Sequence, residues 1–143
     1  MATRSMEDQE ATRHRIEAMK VMLVEAKGAV RLRVKDARLE GGSQELTVCT
    51  PDSLPNHPRA FTRVRRGRPD VVVLDVQMPG GGAIELINRI KSLPQPPVVI
   101  ALSFAPSLKY RTLRAGAEFF FDLIHEPDGL THAVAELKNE LQC

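Results

Sequence analysis

Short apolar runs recur along the chain, and amphipathic or broken segments separate them. KVMLVEA (20–26), ELTVCT (45–50), PDVVVLD (69–75), VVIALS (98–103) and AEFFFD (117–122) predict strands. AVRLRVKDARL (29–39) predicts a helix with Val30, Val34 and Ala37 on one face, ended by Gly41-Gly42. Pro51, Pro55 and Pro58 break the chain, so the next helix is short and begins near Pro58. GAIELINRIKSL (82–93) carries an apolar stripe of Ile84, Leu86, Ile87, Ile90 and Leu93, stopped by Pro94. SLKYRTLRAG (107–116) predicts a helix closed by Gly116. DGLTHAVAELKNEL (128–141) predicts a last one, N-capped by Asp128 with Leu130, Ala133, Val134 and Leu137 inward.

The runs at 20–26, 69–75 and 98–103 are continuously apolar rather than alternating, as strands buried on both faces are. A strand–helix repeat of this kind predicts α/β architecture with right-handed crossovers. The expected fold is a doubly wound, five-stranded parallel sheet of order 2-1-3-4-5, flavodoxin-like. Residues 1–18 are polar and read as a flexible or loosely helical arm; 19–143 read as the domain.

Composition narrows the partners. The chain has 143 residues, 43% apolar and 27% charged, with a net charge of +2, which suits one globular domain. No apolar stretch has the length of a membrane span, and the first twenty residues lack the apolar core of a secretory leader. The expected location is the cytoplasm, with Cys49 and Cys143 as free thiols. Arg59, Arg63, Arg65, Arg66 and Arg68 form a basic cluster, but no aromatic is interleaved to stack on bases. The cluster reads as a solvated helix face rather than a nucleic-acid site.

In open parallel sheets, ligands sit beyond the carboxyl ends of the strands, near the switch in strand order. In this order the switch lies between the first and third strands. Glu25 follows the first strand, Asp75 ends the third and Ser103 ends the fourth. Neighbouring strands would gather the three into one crevice, although any one alone reads as strand punctuation.

These residues sit in longer matching stretches. LVEA (23–26), VVVLDVQMPGGGAIEL (71–86), VIALS (99–103) and AGAEFFFD (115–122) make the chain, from Lys20 to about Leu141, resemble the receiver domain of two-component response regulators. The resemblance implies a phosphorelay role, with Asp75 accepting a phosphoryl group from a histidine kinase. It implies Ser103 as the hydroxyl that turns toward the acyl phosphate, and Phe120 as the aromatic switch. Glu25, Asp75 and the Gln77 carbonyl correspond to Mg²⁺ ligands. The docking face it implies is the strand and helices around Tyr110, Phe119 to Phe121 and 128–141, with a weak homodimer expected. A carboxylate nucleophile can form an aspartyl phosphate, and positioning and cations supply most of that catalysis.

Two positions depart from the family pattern. Ala26 stands where the family has a second acid, the more direct metal ligand. Mg²⁺ demands oxygen ligands in octahedral array, and a methyl group offers none, so Mg²⁺ binding is expected to be weak or absent. Leu123 stands where the family has a lysine that pairs with the phosphoryl oxygen. Losing a charge-assisted hydrogen bond of roughly 1.5–3 kcal/mol weakens that contact by about ten- to a hundredfold. Lys109 and His125 are the nearest replacements, and both read as surface residues. The expectation is an atypical receiver, not an enzyme, working through protein contacts; a conventional phospho-switched receiver is the alternative. A strand-end aspartate also serves haloacid-dehalogenase-type phosphatases, but these need a second acid where Gln77 stands. Gly80 to Gly82 lack the spacing and the lysine of a phosphate loop.

Overall fold

The structure, a computed structural model, describes residues 19–24, 44–49, 58–77 and 82–142. The elements run β1 Met19–Val24, β2 Gln44–Cys49, α1 Pro58–Gly67, β3 Val71–Asp75, α2 Ala83–Lys91, β4 Val98–Ser103, α3 Lys109–Arg114, β5 Phe119–Asp122 and α4 Gly129–Gln142. The expected helix at 29–39 with its Gly41-Gly42 stop, the 1–18 arm, Pro51, Pro55, Pro79 and Cys143 lie outside the described residues.

The sheet has the predicted order, β2-β1-β3-β4-β5. Each neighbouring pair is parallel, with Val24 beside Leu74, Asp75 beside Leu102, and Ser103 beside Asp122. Several boundaries shift inward. The fifth strand begins at Phe119, not at 117, because Glu118 turns its carboxylate to the Val99 N–H (2.6 Å). The helix expected from 107 splits into a 3₁₀ turn, Pro106–Leu108, and a short α3, because Pro106 sets a tight first turn. Gly116, at φ +120°, then reverses the chain; an added Cβ would lie 2.8 Å from Lys91 Cγ.

Strand alternation divides the interior into two cores. Met22, Val24, Val72, Leu74, Val99, Ala101 and Phe120 face α1 and α2, which answer with Val64, Leu86, Ile87 and Ile90. Val21, Leu23, Val71, Val73, Ile100 and Leu102 face α4, which answers with Leu130, Ala133, Val134 and Leu137. Each large side chain so buried contributes roughly 1.5–3 kcal/mol. β3 lies between these cores and is buried at every position, which explains its unbroken apolar run. Phe119 and Phe121 stack on the α4 side (5.9 Å between centroids) and stay half-exposed. Only Phe120 of the three is fully buried, because β5 is an edge strand.

The amino ends of the strands are tied across elements. Lys20 N–H donates to Asp70 Oδ2 (2.9 Å), and Lys91 Nζ donates to the Pro97 carbonyl (2.8 Å) and pairs with Glu118. Among the described residues no helix is long and apolar enough to cross a membrane.

Candidate functional site

At the carboxyl ends, the interior turns polar. Asp75 and Ser103 are 2% and 1% exposed. β3 and β4 are paired, and Asp75 lies beside Leu102, so Ser103 is one residue further up the adjacent strand, about 4.8 Å across the sheet. By alternation Asp75 continues the Val71–Val73 face and Ser103 continues the Val99–Ala101 face, which Phe120 shares. Phe120 pairs with Ala101, two residues below Ser103. The structure thus brings Asp75 and Ser103 to one rim, on opposite faces of the sheet by alternation, with Phe120 in the core beneath Ser103. β1 also runs parallel beside β3 and ends at Val24, directly before Glu25. Glu25 and Ala26 lie outside the described residues.

Local turns hold the polar groups. Gln77 N–H donates to Asp75 Oδ1 (2.9 Å), an Asx turn that fixes the carboxylate as the strand ends. Ala105 N–H donates to Ser103 Oγ (2.8 Å) in the equivalent hydroxyl turn. Gln77 Oε1 accepts from Phe104 N–H (3.2 Å), joining the loops after β3 and β4. That amide bridge was not apparent in the sequence, where only the Gln77 carbonyl drew notice.

The β5 side of the rim is built differently. Leu123 is 3% exposed and packs in the α4-side core with Ile100, Leu102 and Leu130. Its N–H donates to the Ser103 carbonyl (2.9 Å), which anchors this apolar side chain at the rim. Asp122 is buried beside it, with Oδ1 accepting from Ile124 N–H (2.9 Å) and Oδ2 2.5 Å from His125 Nδ1. His125 is therefore more than the plain surface residue its position suggests: Asp122 holds its ring. This hydrogen bond draws the Asp122 carboxyl below its ordinary value and raises the imidazole above its own. The sequence signal was an Asp–x–x–His spacing directly after a strand. Lys109 is exposed at the start of α3.

For a divalent cation, the described part of this rim offers the Asp75 carboxylate and the Gln77 carbonyl. Among the described residues no three His, Cys, Asp or Glu side chains could hold a metal ion. Glu25, the other carboxylate that the resemblance assigns to Mg²⁺, lies outside the described residues.

A parallel, doubly wound sheet with an aspartate sunk at the strand end on the switch side, and a hydroxyl beside it, defines a class of α/β module built around a carboxyl-rim acid. The chain belongs to the response regulator receiver domain family, which matches residues 21–135. It is 34% identical over 89 residues to a protein-glutamate methylesterase/protein-glutamine glutaminase of Desulfotalea psychrophila, covering 58% of this chain and 24% of that protein. It is 28% identical over 123 residues to one from Rhodospirillum rubrum, covering 85% of this chain and 32% of that protein. The chain thus spans a third or less of these curated relatives. Among solved structures, it resembles the receiver domain of the response regulator NarL from Mycobacterium tuberculosis (TM-score 0.69, 23% identity, 86% of this chain and 98% of that one). It also resembles the response regulator domain of Thermotoga maritima CheB (TM-score 0.63, 21% identity, 87% and 94%). The latter two likenesses concern the fold.

Proposed function

We propose that this receiver domain acts in two-component signalling as an atypical receiver, through contact with a histidine kinase or another signalling protein in the cytoplasm, with phosphorylation of Asp75 impaired. The carrying observation is Leu123, which by the resemblance matches the family's phosphoryl-binding lysine: its side chain is apolar and buried in the α4-side core. His125, the nearest cation in sequence, is engaged by Asp122. Ala26, in the sequence, removes a metal-binding oxygen. By the resemblance Asp75, Ser103 and Phe120 match the phosphoacceptor, the hydroxyl switch and the aromatic switch, and Asp75 and Ser103 are buried at the carboxyl ends of adjacent strands. They support a second reading, an ordinary phospho-switched receiver with Glu25, Asp75 and Gln77 holding Mg²⁺. The face around Tyr110, which is 71% exposed, supports a docking role in either case.

Incubation with Mg²⁺ and a small-molecule phosphodonor, followed by intact mass measurement, separates the two. The expected outcome is no stable adduct. A stable single phosphoryl adduct that disappears in Asp75→Asn favours the second reading.

A further inference from the structure

We propose that copies of this domain associate head to tail, the arginine face of α1 in one copy docking into the groove between β5 and α4 of the next. This goes beyond the signalling assignment and does not depend on phosphorylation.

The two surfaces are complementary in charge. α1 carries Arg59, Arg63, Arg65 and Arg66, all exposed, and no acid. Arg59, Arg63 and Arg66 follow the i, i+4, i+7 spacing and share one helix face. Among the described residues none of them forms an ion pair. The groove between β5 and α4 has a volume of ≈ 460 Å³. Glu126, Asp128 and Glu136 line it, all exposed, beside His125, which Asp122 already engages, and His132; the half-exposed Phe119–Phe121 stack forms its β5 wall. Gly129 keeps it open on that side: an added Cβ would stand 2.3 Å from the Phe121 ring.

Acid beside an aromatic face suits a guanidinium, which pairs with carboxylate and stacks on a ring. The molecule already shows the second half of this contact, where the Arg89 guanidinium lies 3.9 Å above the centre of the Phe61 ring. A second copy is favoured over other occupants because the matching basic surface is on the same chain. α1 and α4 cover opposite faces of the sheet. The contact therefore joins two different patches, and it leaves one of each free at the ends. Such a heterologous contact grows into open chains unless its rotation closes.

Sedimentation velocity of the full chain tests this. At about 50 mM salt, mass should rise continuously with concentration beyond a dimer, and about 500 mM salt should return monomer. Arg63→Gln/Arg66→Gln and Asp128→Asn/Glu136→Gln remove charge while preserving helix formers or the cap. Each pair of changes should weaken association by roughly tenfold or more. Mixed in equal amounts, the two variants retain one good interface between them and should stop at a 1:1 complex. Circular dichroism checks that both remain folded. Parent protein that stays monomeric, that stops at a dimer, or that associates equally after either substitution overturns the proposal. So does retention of a single-stranded DNA oligonucleotide that Arg63→Gln/Arg66→Gln abolishes with self-association unchanged, which would assign the arginine face to nucleic acid.

Discussion

The two rims of the sheet use polar side chains in opposite ways. At the amino rim, Asp70 reaches the backbone of Lys20, and Glu118 bridges Lys91 and the Val99 N–H. These bonds join elements far apart in sequence. At the carboxyl rim, Asp75 bonds to Gln77, Ser103 to Ala105, and Asp122 to Ile124 and His125. Those are bonds within one turn, made by residues that are nevertheless buried. Polar groups that stitch strands together belong to the fold. Buried polar side chains whose nearest partners lie in their own turns, as Asp75 with Gln77 and Ser103 with Ala105, fix the shape of that rim more than they join strands.

The largest break in this comparison comes from Leu123, an apolar member of the carboxyl rim. Leu123→Ala removes a buried side chain from the α4-side core and should cost about 2–5 kcal/mol, measured by urea unfolding. A loss below about 1 kcal/mol would mean that Leu123 does not pack as described. Next comes a contrast between two carboxylates. Glu118→Ala leaves the Val99 N–H without its partner and should cost about 1–3 kcal/mol. Asp75→Asn keeps an oxygen for the Gln77 N–H and should change stability by less than about 1 kcal/mol. Equal costs would erase the distinction between the rims. Ser103→Ala should fall lower than Glu118→Ala, at about 1 kcal/mol, since it deletes only local hydrogen bonds to Ala105.

Much of this architecture was legible because burial on both faces leaves a plain mark. The run Val71 to Leu74 could only be an interior strand, and the acid that ends it could only emerge at a rim. Ser103 followed from the same strand-end logic, whereas Phe120 was singled out only through the resemblance to receiver domains. The Asp122–His125 pair escaped because a histidine three residues beyond an acid is ordinary in sequence; only the loop geometry makes the contact. The Glu118 bridge escaped for a different reason. It joins the edge of one strand to the backbone of the next, and no periodicity encodes such a bond. The arginine cluster was visible, whereas its acidic counterpart on another layer of the molecule required the fold.

The smallest expected effect is the pH dependence of the Asp122–His125 pair. His125 is raised above its ordinary 6.5 by Asp122, so its contribution is full below pH 6.5 and is lost as pH rises through the raised folded value. Asp122 is lowered from 3.8 by His125, so its contribution is present above pH 3.8 and is lost as pH falls through the lowered folded value. The pair is one interaction seen from two sides, and it operates between those two folded values. An NMR titration should find the His125 imidazole above 6.5, and Asp122→Asn should bring it back down. An unchanged His125 titration in Asp122→Asn would remove the latch.

The account turns on whether the carboxyl rim can still hold a phosphoryl group. Titration of the ¹⁵N-labelled chain with Mg²⁺ and beryllofluoride, a phosphoryl mimic for aspartate, addresses that rim directly. The prediction is no saturable change in the amide resonances of Asp75, Gln77, Ser103 and Phe120. Saturable shifts at those four positions, absent from Asp75→Asn, would show a working acceptor site and contradict the atypical reading.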